Sequence, residues 1–405
     1  IDIPAVSKNT IVKIIICFDK ETNFLSKNNL IAKNEAIIKK IAGKCYLPAN
    51  RAILELINKT GGKFKVSYSM SGVVLEELER FAPEVISSFK KLVDTGNVEI
   101  LDETYHHTLS CLYSKDEFKE QVGLHNKKIR QLFNYRPKVF RNTELIYNND
   151  IAKAAEEMGY KAVLAEGADH ILQWRSPNFV YRPKGSGNIK LLLKNYRLSD
   201  DIAFRFSEKS WKEFPLTAPK FAGWVNKING NGNVVNLFMD YETFGAHQWV
   251  DKGIFEFLKH LPHEILKHSD NDFVTPSEAV RRYKDVAELD YPYYVSWADV
   301  ERDLSAWTGN KMQQEAMKEI YNLEPHVKLS KNPILIDQWR KLQTSDHFYY
   351  MCTKWFNDGD VHKYFNPYDS PYDAFIAYMN VLQDLRLRIV GHPTYAKKIK
   401  VIELS

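Results

Sequence analysis

FMDYETFGAHQW, residues 238–249, is the stretch whose reading decides the fold. It continues the short apolar run Val234, Val235, Asn236, Leu237, introduced by the turn formers Asn229, Gly230, Asn231, Gly232 and Asn233. Such a run, too short for a helix, reads as a buried strand. Asp240 and Glu242 then stand at its C-terminal end, where parallel α/β folds carry their chemistry. On an extended segment, acids at i and i+2 point the same way. With Tyr241, Phe244 and Trp249 around them they suit a sugar, whose C–H faces stack on rings while its hydroxyls bond to carboxylates. Taken alone, the stretch would also serve as an ordinary strand end with a capping Asp and an aromatic core edge.

Working outward, the same unit recurs. Apolar strands are predicted at Thr10–Phe18, Phe64–Met70, Val98–Leu101, Lys138–Phe140, Tyr160–Leu164 and Ile189–Leu193. Helical spacing fills Leu30–Ile41, Leu47–Lys59, Val73–Val93, Lys115–Phe133, Ile151–Met158 and Leu216–Ile228. Alternation at intervals of about 30 residues argues for a parallel sheet, and six or seven repeats favour a closed or nearly closed barrel over a doubly wound sheet. No GxGxxG opens a helix, which counts against a dinucleotide fold. Beyond Leu261 strand signals fade, and Ala298–Leu323, Pro333–Phe356 and Ser370–Ile389 carry helical spacing. The expected architecture is therefore an α/β barrel over 1–262 and a mainly α-helical domain over 263–405 that completes the substrate cleft.

Composition narrows the function. A chain of 405 residues with 44% hydrophobic and 26% charged content is that of a globular protein. The net charge of +5 is small for this length, and no run of five Lys or Arg occurs, so nucleic acid is not an expected partner. Cys17, Cys45, Cys111 and Cys352 are widely spaced, which indicates neither a zinc knuckle nor a disulfide framework and favours a reducing compartment. No apolar stretch approaches membrane-spanning length, and Ile14 to Phe18 is the longest early run. The expectation is a cytoplasmic protein without a membrane partner, though the chain begins at Ile1 and not at Met.

Four predicted strand ends bear acids: Asp102 and Glu103, Glu144, Glu166 and Asp169, Asp240 and Glu242. In a barrel these converge on one face, and converging carboxylates without a metal-ligand pattern are what glycoside hydrolysis requires. Glu144 follows the donors Arg141 and Asn142, which would keep it ionised as a nucleophile. Asp240 would be the acid, raised by its aromatic wall and by repulsion from Glu144. The cluster Asp102, Glu103, Thr104, Tyr105, His106, His107 offers a competing reading, a divalent ion in a deacylase. No third ligand stands at a suitable spacing, and the other histidines form no HExxH, so hydrogen bonding of a ligand by His106 or His107 is preferred. Trp174, Trp297 and Asp299 are candidates for sugar stacking and hydroxyl binding.

At this point five segments together resemble glycoside hydrolase family 57, in particular its α-amylase-type members. They are GNVEILDETYHHTL from Gly96, VFRNTELIYNN from Val139, EGADHILQWRSPNFVYRP from Glu166, LFMDYETFGAHQW from Leu237 and VTPSEAV from Val274. The resemblance runs from about Cys45 to near Ile389. It implies a (β/α)7 barrel followed by a helical region, retaining cleavage of α-1,4 links in α-glucans or oligosaccharides, and no metal or organic cofactor. It also implies that Glu144 is the nucleophile and Asp240 the acid/base. A 4-α-glucanotransferase or branching enzyme shares this chemistry. Family members carry His-Gln-Pro directly after the first strand, where this chain has Asp19, Lys20, Glu21, Thr22 and Asn23, and no His precedes His106. A slow enzyme, or a protein that only binds glucan, is the alternative this departure raises.

Overall fold

The computed structural model describes residues 12–19, 28–356 and 366–391. Ten strands occur among them: β1 (Val12–Asp19), β2 (Val66–Tyr68), β3 (Val98–Ile100), β4 (Val139–Arg141), β5 (Ala162–Glu166), β6 (Arg182–Pro183), β7 (Lys190–Lys194), β8 (Val234–Asp240), β9 (Asn271–Phe273) and β10 (Glu288–Leu289). Two compact units contain them and the helices. The first comprises 1–103 and 122–297, the second 104–121 and 298–405.

In the first unit β1 pairs in parallel with β8 from Lys13 opposite Val234 to Asp19 opposite Asp240, and β2 lies on its other side, followed by β3. A second parallel set runs β4, β5, β7. Two junctions close the ring. Asp102 N–H donates to the Val139 carbonyl and Arg141 N–H to the Asp102 carbonyl, both at 2.9 Å, joining the end of β3 to β4. Asn195 N–H donates to the Asn236 carbonyl at 2.9 Å and the Asn236 amide to the Leu193 carbonyl at 2.7 Å, joining β7 to β8. The result is a (β/α)7 barrel. Its longer strands are largely apolar because both faces are covered: in β8 the six residues before Asp240 are buried and Asp240 is partly so.

The helices follow from local signals. Leu47–Lys59 buries Ala49, Ala52, Ile53, Leu56 and Ile57 on one stripe and ends where Gly62 N–H returns to the Ile57 carbonyl at 2.8 Å, Gly62 being left-handed with φ 77°. Gly72–Phe81 starts on the Ser71 cap and breaks at Ala82 before Pro83 opens Pro83–Val93.

The structure adds elements that periodicity did not show. Tyr196–Ala203, between the predicted strand Ile189–Leu193 and the predicted helix Leu216–Ile228, is a further helix capped by Asn195. Past Leu261, where strand signals fade, β9 still pairs with β1, and β10 pairs with β6. Both are two or three residues long and partly polar, so no alternation could develop. The first unit accordingly runs on to Trp297, beyond the expected division after residue 262.

The second unit is helical. Lys311–Asn322, Glu324–Ser330, Pro333–Lys341, Ser345–Tyr349 and Pro371–Val390 surround the fully buried Trp307, Trp339 and Tyr378. The buried Glu117 is held by Arg340 at 2.7 and 3.1 Å, a two-pronged pair that keeps its charge satisfied. Among the described residues no helix is long and apolar enough to cross a membrane.

Candidate active site

Glu144 leaves the end of β4 in a tight turn, Thr143–Leu145, with φ 56° and ψ 23°; Leu145 follows at φ 50°. Left-handed backbone costs a non-glycine residue about 1–2 kcal/mol, so the surroundings must enforce it. They do so from both sides. Leu145 N–H donates to Asn142, Ile146 N–H to Thr143, and the Asn142 side chain to the Ile146 carbonyl at 2.9 Å. From the far end of the unit, Val295 and Tyr147 exchange two backbone hydrogen bonds of 2.9 Å, and Trp297 N–H reaches the Glu144 carbonyl at 3.3 Å. The Trp297 indole N–H then donates to Glu144 Oε2 at 2.7 Å.

Asn142, expected to donate to the Glu144 carboxylate, gives its amide to the Ile146 carbonyl and so shapes the turn. Trp297, expected to stack on sugar, holds Glu144 by its edge, and its ring lies 4.9 Å from the Arg141 guanidinium and 5.3 Å from the Lys194 ammonium. Arg141 is buried at the end of β4; Lys194, the last residue of β7, also approaches Asp200 at 3.1 Å and the buried Glu166 at 3.7 Å. Both cations thus face the region between β4, β7 and β8.

Asp240 ends β8. Burial pushes its carboxyl above the usual range and the charge of Glu144 pushes it further, while His247, Arg141 and Lys194 pull it back without cancelling the rise. His247 is pushed below the ordinary imidazole range by its own burial, against the pull of Asp240. It is carried there by the turn at Gly245, which has φ 110° and leaves room only for hydrogen: a Cβ would meet the Lys44 carbonyl oxygen at 2.2 Å. Two carboxylates in contrasting settings, one gripped by a donor and one pushed toward its acid form, can divide nucleophile and acid work between them.

Of the remaining predicted residues, some land elsewhere. Glu242 does not share a direction with Asp240, because the chain leaves the strand for the turn Tyr241–Thr243; its carboxylate accepts from the buried Tyr46 hydroxyl. Tyr241 is corrected from sugar contact to core: its ring is fully buried, stacks 6.2 Å from Tyr46, and donates its hydroxyl to Asn50 at 2.6 Å. Trp174 and Trp249 are 67% and 58% exposed. Tyr105, His106, His107 and Asp299 belong to the second unit. There His106 pairs with Gln121 at 3.0 Å, the left-handed His107 is almost fully buried, and Asp299 lies 3.6 Å from Lys354. The acid Asp102 is no free strand-end carboxylate either: it accepts from His125, from Asn126 at 2.7 Å and from Tyr160, wholly buried. Among the described residues no three His, Cys, Asp or Glu side chains are grouped to hold a metal ion. Residues 20–23, where the His-Gln-Pro departure falls, lie outside the described residues.

Lys194 and His247 are site residues that the sequence reading passed over. Lys194 carries the same strand-end signal as the acids, in KLLLK, and His247 lies inside the opening stretch itself.

This chain belongs to Glycosyl hydrolase family 57, whose sequence profile matches residues 23–292. A relative from Methanocaldococcus jannaschii, provisionally named an alpha-amylase, is 46% identical over 368 residues, 88% of this chain and 77% of the relative. The fold is that of the branching enzyme of this family from Pyrococcus horikoshii, with a TM-score of 0.69 over 95% of this chain and 96% of the enzyme at 15% identity. It is also that of the 4-alpha-glucanotransferase from Thermococcus litoralis, with a TM-score of 0.64 at 16% identity over 84% of this chain, which spans only 56% of that longer enzyme.

Proposed function

We propose that this enzyme cleaves α-1,4-glucosidic bonds in α-glucans or maltooligosaccharides with retention of configuration, Glu144 acting as nucleophile and Asp240 as acid and then base. What carries the reading is the contrast between the two carboxyls: Glu144 fixed in a strained turn by the Trp297 indole, Asp240 raised toward its acid form in part by the charge of Glu144. In the first step Glu144 bonds to the anomeric carbon as the departing oxygen takes the Asp240 proton. In the second, Asp240 removes a proton from the incoming hydroxyl, whose oxygen displaces Glu144. Retention by this route needs the two carboxyls about 5–5.5 Å apart in the substrate complex. The α-glucan assignment rests on the family and on the alpha-amylase name of the 46% identical relative.

Water or a sugar hydroxyl can resolve the intermediate, so hydrolase and transferase differ only in the acceptor. The test is to incubate the protein with maltoheptaose and separate the products by length, with Glu144→Gln as control. Shorter products alone mean hydrolysis, and a ladder of longer and shorter ones means transfer. If the sugar binds but neither pattern appears, the cleavage reading fails. That result would fit the missing His-Gln-Pro, since one lost transition-state hydrogen bond costs about 2–4 kcal/mol, some hundredfold or more in rate.

A further inference from the structure

The segment from Tyr291 to Trp297 does more than close the turn around Glu144. Its far end is tied down as firmly as its near end: Tyr291 exchanges hydrogen bonds with Asn149, and its hydroxyl donates to the carbonyl of Glu166, the last residue of β5, at 3.0 Å. Between these anchors Tyr293 projects with 53% of its surface exposed, its ring 6.0 Å from that of His170 and nearly parallel to it at 17°. His170 lies in the short helix Asp169–Leu172, just past the end of β5. Four residues on, Trp174 is 67% exposed, with the Arg175 guanidinium 5.0 Å from its ring. The residue that turns the chain into it, Gln173, sits at φ 55° and ψ −114°, a conformation that a non-glycine residue adopts only under constraint.

A single exposed ring needs no explanation. Here rings from two separate segments meet on anchored backbone at the end of the barrel strands, with strain spent next to a tryptophan left in solvent. We propose that Tyr293, His170 and Trp174 form a stacking subsite for an α-glucan unit remote from the bond being cleaved, a proposal that rests on the glucan reading above. Tyr293 is four residues from Trp297, so an extended segment places it within about 13 Å of the residue that holds Glu144. That reach suits a sugar further along the same chain. The subsite contributes binding to long substrates and nothing to short ones that end before it.

The test compares maltoheptaose with maltotriose as substrates for the wild type, Tyr293→Ala, Tyr293→Phe and Trp174→Ala. Each alanine variant is expected to lower kcat/KM for maltoheptaose roughly three- to tenfold, through KM, and to leave maltotriose within about twofold. Tyr293→Phe, which keeps the ring, should behave as the wild type. Equal losses on both substrates, or no loss on maltoheptaose, would overturn the subsite. If the wild type cleaves neither sugar, the cleavage reading fails separately, and calorimetry decides the subsite. Weaker maltoheptaose binding by Tyr293→Ala then upholds it, and unchanged or absent binding overturns it.

Discussion

Replacing Trp297 by Phe removes one N–H and leaves a ring. In the wild type that N–H donates to Glu144 Oε2 at 2.7 Å, a hydrogen bond to the group that the proposed mechanism uses, ionised, as its nucleophile. Hydrogen bonds to charged groups are worth about 1.5–3 kcal/mol, which corresponds to roughly 10- to 150-fold in rate if the whole of it is lost at the transition state. The two steps should not suffer equally. Forming the glycosyl ester quenches the charge on Glu144, so loss of the donor is partly offset there by a more reactive carboxylate, and the cost is one of position. In breaking the ester the charge returns, and the indole stabilises it as it leaves. Trp297→Phe should therefore slow the second step more, lowering kcat by about 10- to 100-fold with KM also falling, because the covalent intermediate accumulates. Steady-state rates on an aryl α-maltooligosaccharide, with a pre-steady-state burst of the aryl group, read this directly. The melting temperature should fall by only a few degrees, since a smaller ring still offers its face to Arg141 and Lys194. A variant with kcat within about twofold of the wild type would refute the assignment of the indole as the group that holds Glu144.

The electrostatics of Asp240 give a pH prediction with a definite sign. Its carboxyl is raised by burial and by Glu144, so the acid form persists to higher pH and the alkaline limb of kcat/KM lies above the usual carboxylate range. Lys194→Met removes a cation that pulls Asp240 down, and should move that limb further up, read from a pH–rate profile. A carboxyl raised in the folded state stabilises the fold below its unfolded pKa, and that contribution is lost as the pH rises through the folded value. Asp240→Asn should accordingly melt higher than the wild type at pH 7 while losing activity. Asn142→Ala strands the Ile146 carbonyl in a buried turn, and should cost about 1–3 kcal/mol in urea unfolding with a parallel loss of activity, as Glu144 is no longer held left-handed. Gly245→Ala drives a Cβ into the Lys44 carbonyl, and should destabilise by about 3 kcal/mol or more or prevent folding, seen as loss of soluble protein or of the melting transition.

What the sequence made legible, and what it hid, divide along one physical line. Glu144 and Asp240 stood out because their signal is local: an acid at or within a few residues of the end of a short strand, repeated unit by unit. The barrel was legible for the same reason. The partners of those acids were not, because they come from distant segments: Trp297 lies 153 positions from Glu144, and its indole reads equally well as a sugar platform or a core ring. The i, i+2 argument for Glu242 failed because the strand stops at Asp240, and no pattern in DYETFG shows where pairing ends and the turn begins. Tyr241 was read as ligand-facing by its company, yet a tyrosine whose hydroxyl finds Asn50 can be buried whole. Asp102 was read as a strand-end acid, and its partners His125 and Tyr160 sit on a later helix and just before β5.

The most direct test of the central claim uses Asp240→Asn with an α-maltosyl fluoride, whose leaving group departs without an acid while the missing base stalls the second step. Mass spectrometry of a proteolytic digest should find the maltosyl mass on the peptide that contains Glu144, and the label should disappear in the double variant with Glu144→Gln. A label on any other carboxylate, or turnover to the β-anomer with no label at all, would contradict Glu144 as the nucleophile of a retaining enzyme.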